Sequence, residues 1–171
     1  SVIDDLDLDI THIVRGEDHV PNTAIQIQLM DAIGGNASQF QFAHLALLAG
    51  EHGEALGKRL GSLGIQDLRD QGIVPMAINS LLGKIGTSDA IQPYVHMEDL
   101  IASFDLGHFS RGTAKFSLTQ LQQLNQKVLA LTSFTTAKTF VDIPELTEEF
   151  WNGIKHNLES IHDVKLWWET C

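Results

Sequence analysis

The chain of 171 residues carries 22 acidic and 11 basic side chains, and its formal net charge is −11 at pH 7. This balance excludes a broad basic surface of the kind that covers nucleic acid or an anionic membrane. Its 43% hydrophobic content favours a folded core. The single cysteine, Cys171, excludes a disulfide framework and a cysteine-based zinc site, and no apolar run approaches the roughly 20 residues of a membrane span. We therefore expect a cytoplasmic protein without a membrane partner.

The first third of the chain has the pattern of an α/β unit. Residues 10–15, ITHIVR, are β-branched and largely apolar and predict a short buried strand. The apolar positions of residues 24–33 predict a helix that Asn22 or Thr23 could cap. Residues 40–48, FQFAHLALL, predict a second strand. Because strand, helix and strand follow in that order, we expect a parallel crossover unit.

An acidic run, DDLDLD at residues 4–9, invites comparison with a calcium-binding loop. If that template starts at Asp5, Ile10 occupies the place of the turn glycine and Gly16 the place of the bidentate glutamate. The template fails at both positions, so we interpret the run as a solvated turn.

Positive charge is concentrated at Lys58-Arg59, inside the glycine-flanked stretch HGEALGKRLGSLG of residues 52–64. A Walker loop requires a glycine where His52 stands and a serine or threonine where Arg59 stands, so this is not a Walker motif. Two interpretations remain open from the residues alone. The segment is either a mobile clamp for phosphate oxygens or a solvated surface turn.

The aromatic and imidazole residues do not form a recognisable metal or nucleophile motif. His12, His19 and His44 lie within or beside the predicted strands and have no metal-ligand spacing, so we interpret them as core or site-lining residues. The tryptophans at 151, 167 and 168 have helical spacing among apolar neighbours and are interpreted as packing residues. Beyond residue 65 the pattern predicts a series of helices, with Ser117 and Thr147 as N-caps.

Several segments together resemble the bacterial glutamyl-tRNA synthetases, a family of class I aminoacyl-tRNA synthetases. They are THIVRGEDHVPNT, FAHLALL, the Lys-Arg loop, GSLGIQDLRDQGIVPMAINSLLGKIG and FWNGIKHNLESIHDVKLWWE. The resemblance implies an α/β plus all-α fold. Residues 1–65 would be the second, C-terminal half of a Rossmann-like catalytic domain, residues 66–143 a helical stem-contact domain, and residues 144–171 the start of a helical anticodon-binding domain. The family's HIGH-type motif is absent, so we expect an internal fragment that is inactive alone and exposes apolar surface.

The resemblance also implies the roles of particular residues. Arg15 and Ser1 would bind glutamate, and the loop would be the KMSKS-like loop, with Ala55 and Gly57 departing from its usual lysine and serine. ATP would be bound with Mg²⁺ and without a structural metal. The implied ATP-binding residues are Asp18, His19, Leu48 and Lys58, and the implied catalytic residues are Lys58 and Arg59.

The implied reaction is ATP-dependent ligation of L-glutamate to tRNA(Glu) through glutamyl-adenylate, by a monomeric protein. Three alternatives stay open. The first is a related ligase that mischarges tRNA(Gln). The second is a non-catalytic tRNA-binding or regulatory paralogue, which the altered loop favours. The third is a helical interaction module.

Overall fold

The structure is a computed structural model that describes residues 1–54, 56 and 64–171. Lys58, Arg59, Ala55 and Gly57 of the predicted loop lie outside the described residues. Within these ranges the chain combines short strands with helices. In chain order the elements are α1 (Val2–Asp7), β1 (His12–Gly16), α2 (Val20–Ala32), β2 (Gln41–Leu45), β3 (Leu48–Ala49), α3 (Ile65–Asp70), α4 (Pro75–Leu82), α5 (Met97–Ala102), β4 (Ala114–Lys115), α6 (Leu118–Leu131), α7 (Phe134–Ala137), α8 (Glu148–Ile154) and α9 (Asp163–Thr170).

β1 and β2 form a parallel pair connected through α2, which confirms the predicted crossover unit. Their register places Arg15 opposite His44. The predicted single strand over residues 40–48 is wrong in extent, because β2 ends at Leu45 and β3 pairs instead with β4. Residues 42–49 are apolar apart from one histidine, so the sequence pattern contains no marker of the point where the chain changes partners.

Residues 4–7 of the acidic run lie in helix α1, and Leu8 and Asp9 form an exposed turn after it. The interpretation of the whole run as a solvated turn is therefore wrong for its first four residues. Asp4 and Asp5 lie in its first turn, where negative charge is favourable toward the helix dipole. Val2 is buried on the inner face in a small core with Met30 and Phe40. That apolar contact explains why a short, strongly acidic segment is helical.

Helix α2 begins at Val20, earlier than either predicted cap would place it. His19 occupies the N-cap position, but its side chain makes no capping hydrogen bond to the helix backbone. Pro21 lies in the first turn, where its missing N–H costs nothing. Of its apolar residues only Met30 is buried, whereas Ile25, Leu29 and Ile33 remain largely exposed along one helix face. This exposure agrees with the expectation of uncovered apolar surface.

The remainder of the chain packs as helices around a second core, as the spacing predicts. Both predicted caps are confirmed, because Ser117 Oγ accepts from the backbone N–H of Gln120 at 3.3 Å and Thr147 Oγ1 from that of Phe150 at 3.2 Å. This core contains residues from Leu68 to Val164 and therefore lies on both sides of residue 144. The domain boundaries at 65 and 143 stay predictions.

The three tryptophans behave differently in this core. Trp151 is fully buried, and its indole N–H donates to the carbonyl oxygen of Thr132 at 3.0 Å. Trp168 packs edge-on against Phe150, with ring centroids 4.9 Å apart. The packing interpretation is confirmed for these two. It is wrong for Trp167, which is 37% exposed on the outer face of α9.

The described part of the chain has neither a membrane-spanning helix nor a cluster of metal-ligating side chains. None of its helices combines the length and apolar character required to cross a bilayer. Residues 1–54, 56 and 64–171 also contain no group of three or more His, Cys, Asp or Glu side chains placed to hold a metal ion. Cys171 is exposed and free.

Candidate functional site

The side chain of Arg15 lies near the carboxyl end of β1 and contacts helix α2. Its Nη2 donates to Thr23 Oγ1 at 2.6 Å and to Gln26 Oε1 at 2.6 Å. Its Nε is buried and has no hydrogen-bond partner among the described residues. A guanidinium with an unused donor can still bind a planar anion such as a carboxylate.

Ser1, the other predicted glutamate-binding residue, is close to the same site. The amide nitrogen of Gln26 donates to Ser1 Oγ at 3.5 Å, while the amide oxygen of Gln26 accepts from Arg15. Gln26 therefore brings the two predicted residues together. Gln26 was not identified from the sequence, because its role depends only on its position on the side of α2 that faces the two strands.

Asp18 and His19 lie in a 3₁₀ turn between β1 and α2, where the strand ends. Their side chains are about half exposed, and the Asp18 carboxylate lies 3.9 Å from His19 Nε2. A Cβ at Gly16 would lie 2.5 Å from Asp18 Oδ1 and 2.9 Å from Leu47 Cδ2, so a larger residue there would displace these two side chains. Asp18 and His19, two of the four predicted ATP-binding residues, thus face solvent beside the Arg15 site.

Leu48 lies apart from these residues. It lines a largely apolar cavity of about 140 Å³, whose wall contains none of Ser1, Arg15, Asp18 or His19. The lining residues lie in the segment around β3, near the end of α4 and in the chain before β4. They are Leu45, Ala46, Leu48, Leu82, Ile85, Gly86, Phe109, Ser110, Gly112 and Ala114.

An ion-pair cluster of Lys84, Asp89 and His108 was not identified from the sequence. Lys84 is only 3% exposed, and its Nζ donates to Asp89 Oδ2 at 3.0 Å and to the carbonyl oxygen of Ser103 at 2.5 Å. His108 Nδ1 lies 3.0 Å from Asp89 Oδ1. Lys84 and His108 are the chain neighbours of the cavity-lining residues Ile85 and Phe109.

The pKa values of Asp89 and His108 in this cluster are shifted. The Lys84 hydrogen bond, followed by the His108 hydrogen bond, lowers the pKa of Asp89 below 3.8. The hydrogen bond from Asp89 raises the pKa of His108 above 6.5. Both shifts arise because each contact favours the charged form of the group.

A neighbouring phenol is also affected by its hydrogen bonds. Ser103 Oγ and Gln92 Nε2 both donate to the phenolic oxygen of Tyr94, at 3.0 and 2.8 Å. They lower the pKa of Tyr94, with Ser103 having the larger effect, because donors stabilise the phenolate.

We expect the ion pair between His108 and Asp89 to make stability depend on pH. Since the pKa of His108 is raised on folding, its contribution is fully present below pH 6.5 and is lost as the pH rises through the raised value. The Asp89 contribution is present above its ordinary pKa and is lost as the pH falls through the lowered one.

Urea unfolding of wild type and His108→Gln between pH 5.5 and 9 should give free energies that converge at high pH. His96→Gln, at an exposed position, is the control. A pH-independent difference between His108→Gln and wild type would contradict this assignment.

The parallel strands β1 and β2 are joined by a helix, and Arg15 and polar side chains lie near the ends of these strands, in a mixed helix-and-sheet fold. Residues 1–123 match the family model described as tRNA synthetases class I (E and Q), catalytic domain. The chain belongs to this family. The match ends within α6 and does not set the predicted domain boundaries.

Individual relatives support the same assignment. The chain is 45% identical to Glutamate--tRNA ligase 1 of Orientia tsutsugamushi (strain Ikeda), over 100% of this chain and 38% of that protein. It is 44% identical to Glutamate--tRNA ligase 2 of Gluconobacter oxydans (strain 621H), over 99% of this chain and 38% of that protein. The chain thus spans about two fifths of the length of these relatives.

A solved structure has the same fold. It is the crystal structure of a glutamate tRNA ligase from Elizabethkingia meningosepticum CCUG26117 in complex with its amino acid. It superposes with a TM-score of 0.72 and 26% sequence identity, over 98% of this chain and 39% of that one.

Proposed function

We propose that the complete gene product ligates L-glutamate to tRNA(Glu) through glutamyl-adenylate. The observation that carries the proposal is the Arg15 guanidinium, held at the carboxyl end of a parallel strand by neutral acceptors, in a chain that belongs to the synthetase family. A fixed guanidinium suits a carboxylate of glutamate. Ser1, linked to Arg15 through Gln26, is proposed to border the same pocket.

ATP is proposed to bind beside this pocket. Asp18 and His19 would contact the adenosine side from the turn after β1, and Leu48 would contact the nucleotide from the cavity beside β3. Lys58 and Arg59, which lie outside the described residues, are proposed to neutralise the triphosphate. Mg²⁺ enters as part of the ATP substrate, because this ion is commonly held by substrate phosphates together with few protein ligands.

The proposed reaction has two steps. A glutamate α-carboxylate oxygen attacks the α-phosphorus of ATP, and the bond to the bridging oxygen breaks, so that pyrophosphate leaves with the electron pair. The terminal ribose hydroxyl of tRNA then attacks the glutamyl carbonyl carbon, loses its proton and displaces AMP. Arg15 would hold the amino acid in line and the cations would stabilise charge as it develops on the phosphates.

The helical part of the chain is proposed to contact tRNA. Residues 66–143 would be a stem-contact domain against the inner side of the tRNA, and residues 144–171 would begin the anticodon-binding region. Helices α3, α4 and α6–α9 share one hydrophobic core, which supports a packed platform for this role. The protein is proposed to act as a cytoplasmic monomer without a membrane partner.

Charging of purified tRNAs tests the proposal. The complete gene product is incubated with labelled L-glutamate, ATP, Mg²⁺ and either tRNA(Glu) or tRNA(Gln). We expect glutamyl-tRNA(Glu) to form and to require ATP. Charging of tRNA(Gln) alone would instead identify the related ligase. Tight tRNA binding without charging of either species would identify the non-catalytic paralogue, which the replacements at Ala55 and Gly57 favour.

A further inference from the structure

We infer that Gln26 and Thr23 are positioning residues that hold Arg15 while leaving its positive charge uncompensated for a carboxylate ligand. The inference rests on the proposed function and adds to it the reason why these two side chains are uncharged. Both lie on α2, opposite the strand that carries Arg15.

The hydrogen bonds to the guanidinium define the arrangement. Both protons of Nη2 are used, one by Thr23 Oγ1 and one by Gln26 Oε1, each at 2.6 Å. These two neutral acceptors fix the plane and direction of the guanidinium. The Nε proton has no acceptor among the described residues although the atom is buried. A buried donor without a partner is costly, so an incoming acceptor gains affinity by satisfying it.

The Arg15 guanidinium contacts no acidic side chain among the described residues. Acidic side chains outnumber basic ones by 22 to 11, yet Arg15 forms no ion pair with any described carboxylate. The nearest acidic position along the chain that enters an ion pair is Asp18, and its carboxylate faces His19 instead. A partly buried arginine that contacts only neutral oxygens retains its full attraction for an external anion.

Each positioning side chain is itself fixed by a second contact. Gln26 uses its amide nitrogen toward Ser1 Oγ, which orients its amide oxygen toward Arg15. Thr23 Oγ1 lies 2.9 Å from His44 Nε2 and 3.3 Å from the carbonyl oxygen of His19. Thr23 therefore connects Arg15 to the neighbouring strand and to the turn that holds the predicted ATP-binding residues.

Gln26→Glu is the decisive variant, because it keeps the size of the side chain and the acceptor oxygen toward Arg15 but supplies an internal carboxylate. We expect the affinity of the complete gene product for L-glutamate to fall about 10- to 100-fold. The reason is that the new carboxylate at position 26 would pair with the Arg15 guanidinium and weaken its charged hydrogen bond to the ligand. The affinity for ATP should stay within about twofold of wild type. Calorimetric titration with each ligand measures both. Gln28→Glu is the matched control, because Gln28 is exposed on the same helix.

A second measurement does not depend on glutamate. The internal ion pair created by Gln26→Glu should raise the midpoint of thermal unfolding at pH 7, and this gain should vanish near pH 3, whereas Gln28→Glu should show neither effect. Unchanged glutamate affinity in Gln26→Glu would overturn the inference while leaving the proposed function intact. The absence of an acid-sensitive rise in the unfolding midpoint of Gln26→Glu would also overturn it, because the charge of Arg15 would then already be compensated in the wild type. Acid-sensitive stabilisation of Gln26→Glu, together with a wild-type protein that binds no glutamate, would support the arrangement and contradict the proposed function.

Discussion

Lys58→Ala is expected to lower the rate of glutamate-dependent ATP–pyrophosphate exchange, measured with tRNA present, by about 10²–10³, or roughly 3–4 kcal/mol. Positioned cations act mainly on charge that develops in the transition state, here the charge of the departing pyrophosphate. The Michaelis constant for glutamate should therefore change little. The altered loop makes Lys58 more important, because Ala55 supplies no second ammonium group and Gly57 no hydroxyl.

Lys127→Ala is the matched control for this variant. Lys127 is exposed on α6, and its removal should leave the exchange rate within about twofold of wild type. An equal loss of rate in both variants would mean that overall charge, not the position of Lys58, controls the reaction. An equal loss in rate and in glutamate affinity for Lys58→Ala would contradict the assigned role as well.

Trp151→Ala is expected to lower the free energy of unfolding of the chain by about 3–5 kcal/mol. The side chain is fully buried in the core that joins residues from Leu68 to Val164, so truncation leaves a large cavity. It also leaves the carbonyl oxygen of Thr132 without its indole donor. Urea unfolding followed by far-ultraviolet circular dichroism measures the change.

Two further variants separate the contributions of packing and hydrogen bonding. Trp151→Phe keeps an aromatic ring but removes the N–H, and should cost about 1–3 kcal/mol, because the Thr132 oxygen stays buried without a partner. Trp167→Ala, at the exposed outer face of α9, should cost less than Trp151→Ala. Equal costs at positions 151 and 167 would contradict the assignment of Trp151 to the centre of this core.

Local sequence pattern was sufficient for the elements whose signals are short-range. The β-branched run before Gly16 and the polar caps at Ser117 and Thr147 determine a strand and two helix starts by nearest-neighbour chemistry. Helix α1 was missed because its stability comes from the burial of Val2 against Met30, which lies in another element. The division between β2 and β3 likewise depends on partners that are distant in the sequence.

The candidate site shows the same limit. Arg15 was identified because the segment RGEDH resembles a known family, whereas Gln26 was not, since its role depends on the way α2 packs over the strand. The pair of Lys84 and Asp89 was missed for a related reason. A buried lysine is uncommon, and only the fold reveals that Asp89 and the carbonyl oxygen of Ser103 satisfy it.

The most direct test of the central claim is the Michaelis constant for L-glutamate in Arg15→Ala, measured in the aminoacylation reaction of the complete gene product. If Arg15 binds a carboxylate of the amino acid, the constant for glutamate should rise about 10- to 100-fold, while the constant for ATP stays within about twofold. An unchanged constant for glutamate together with a raised constant for ATP would contradict the claim and place Arg15 in the nucleotide site.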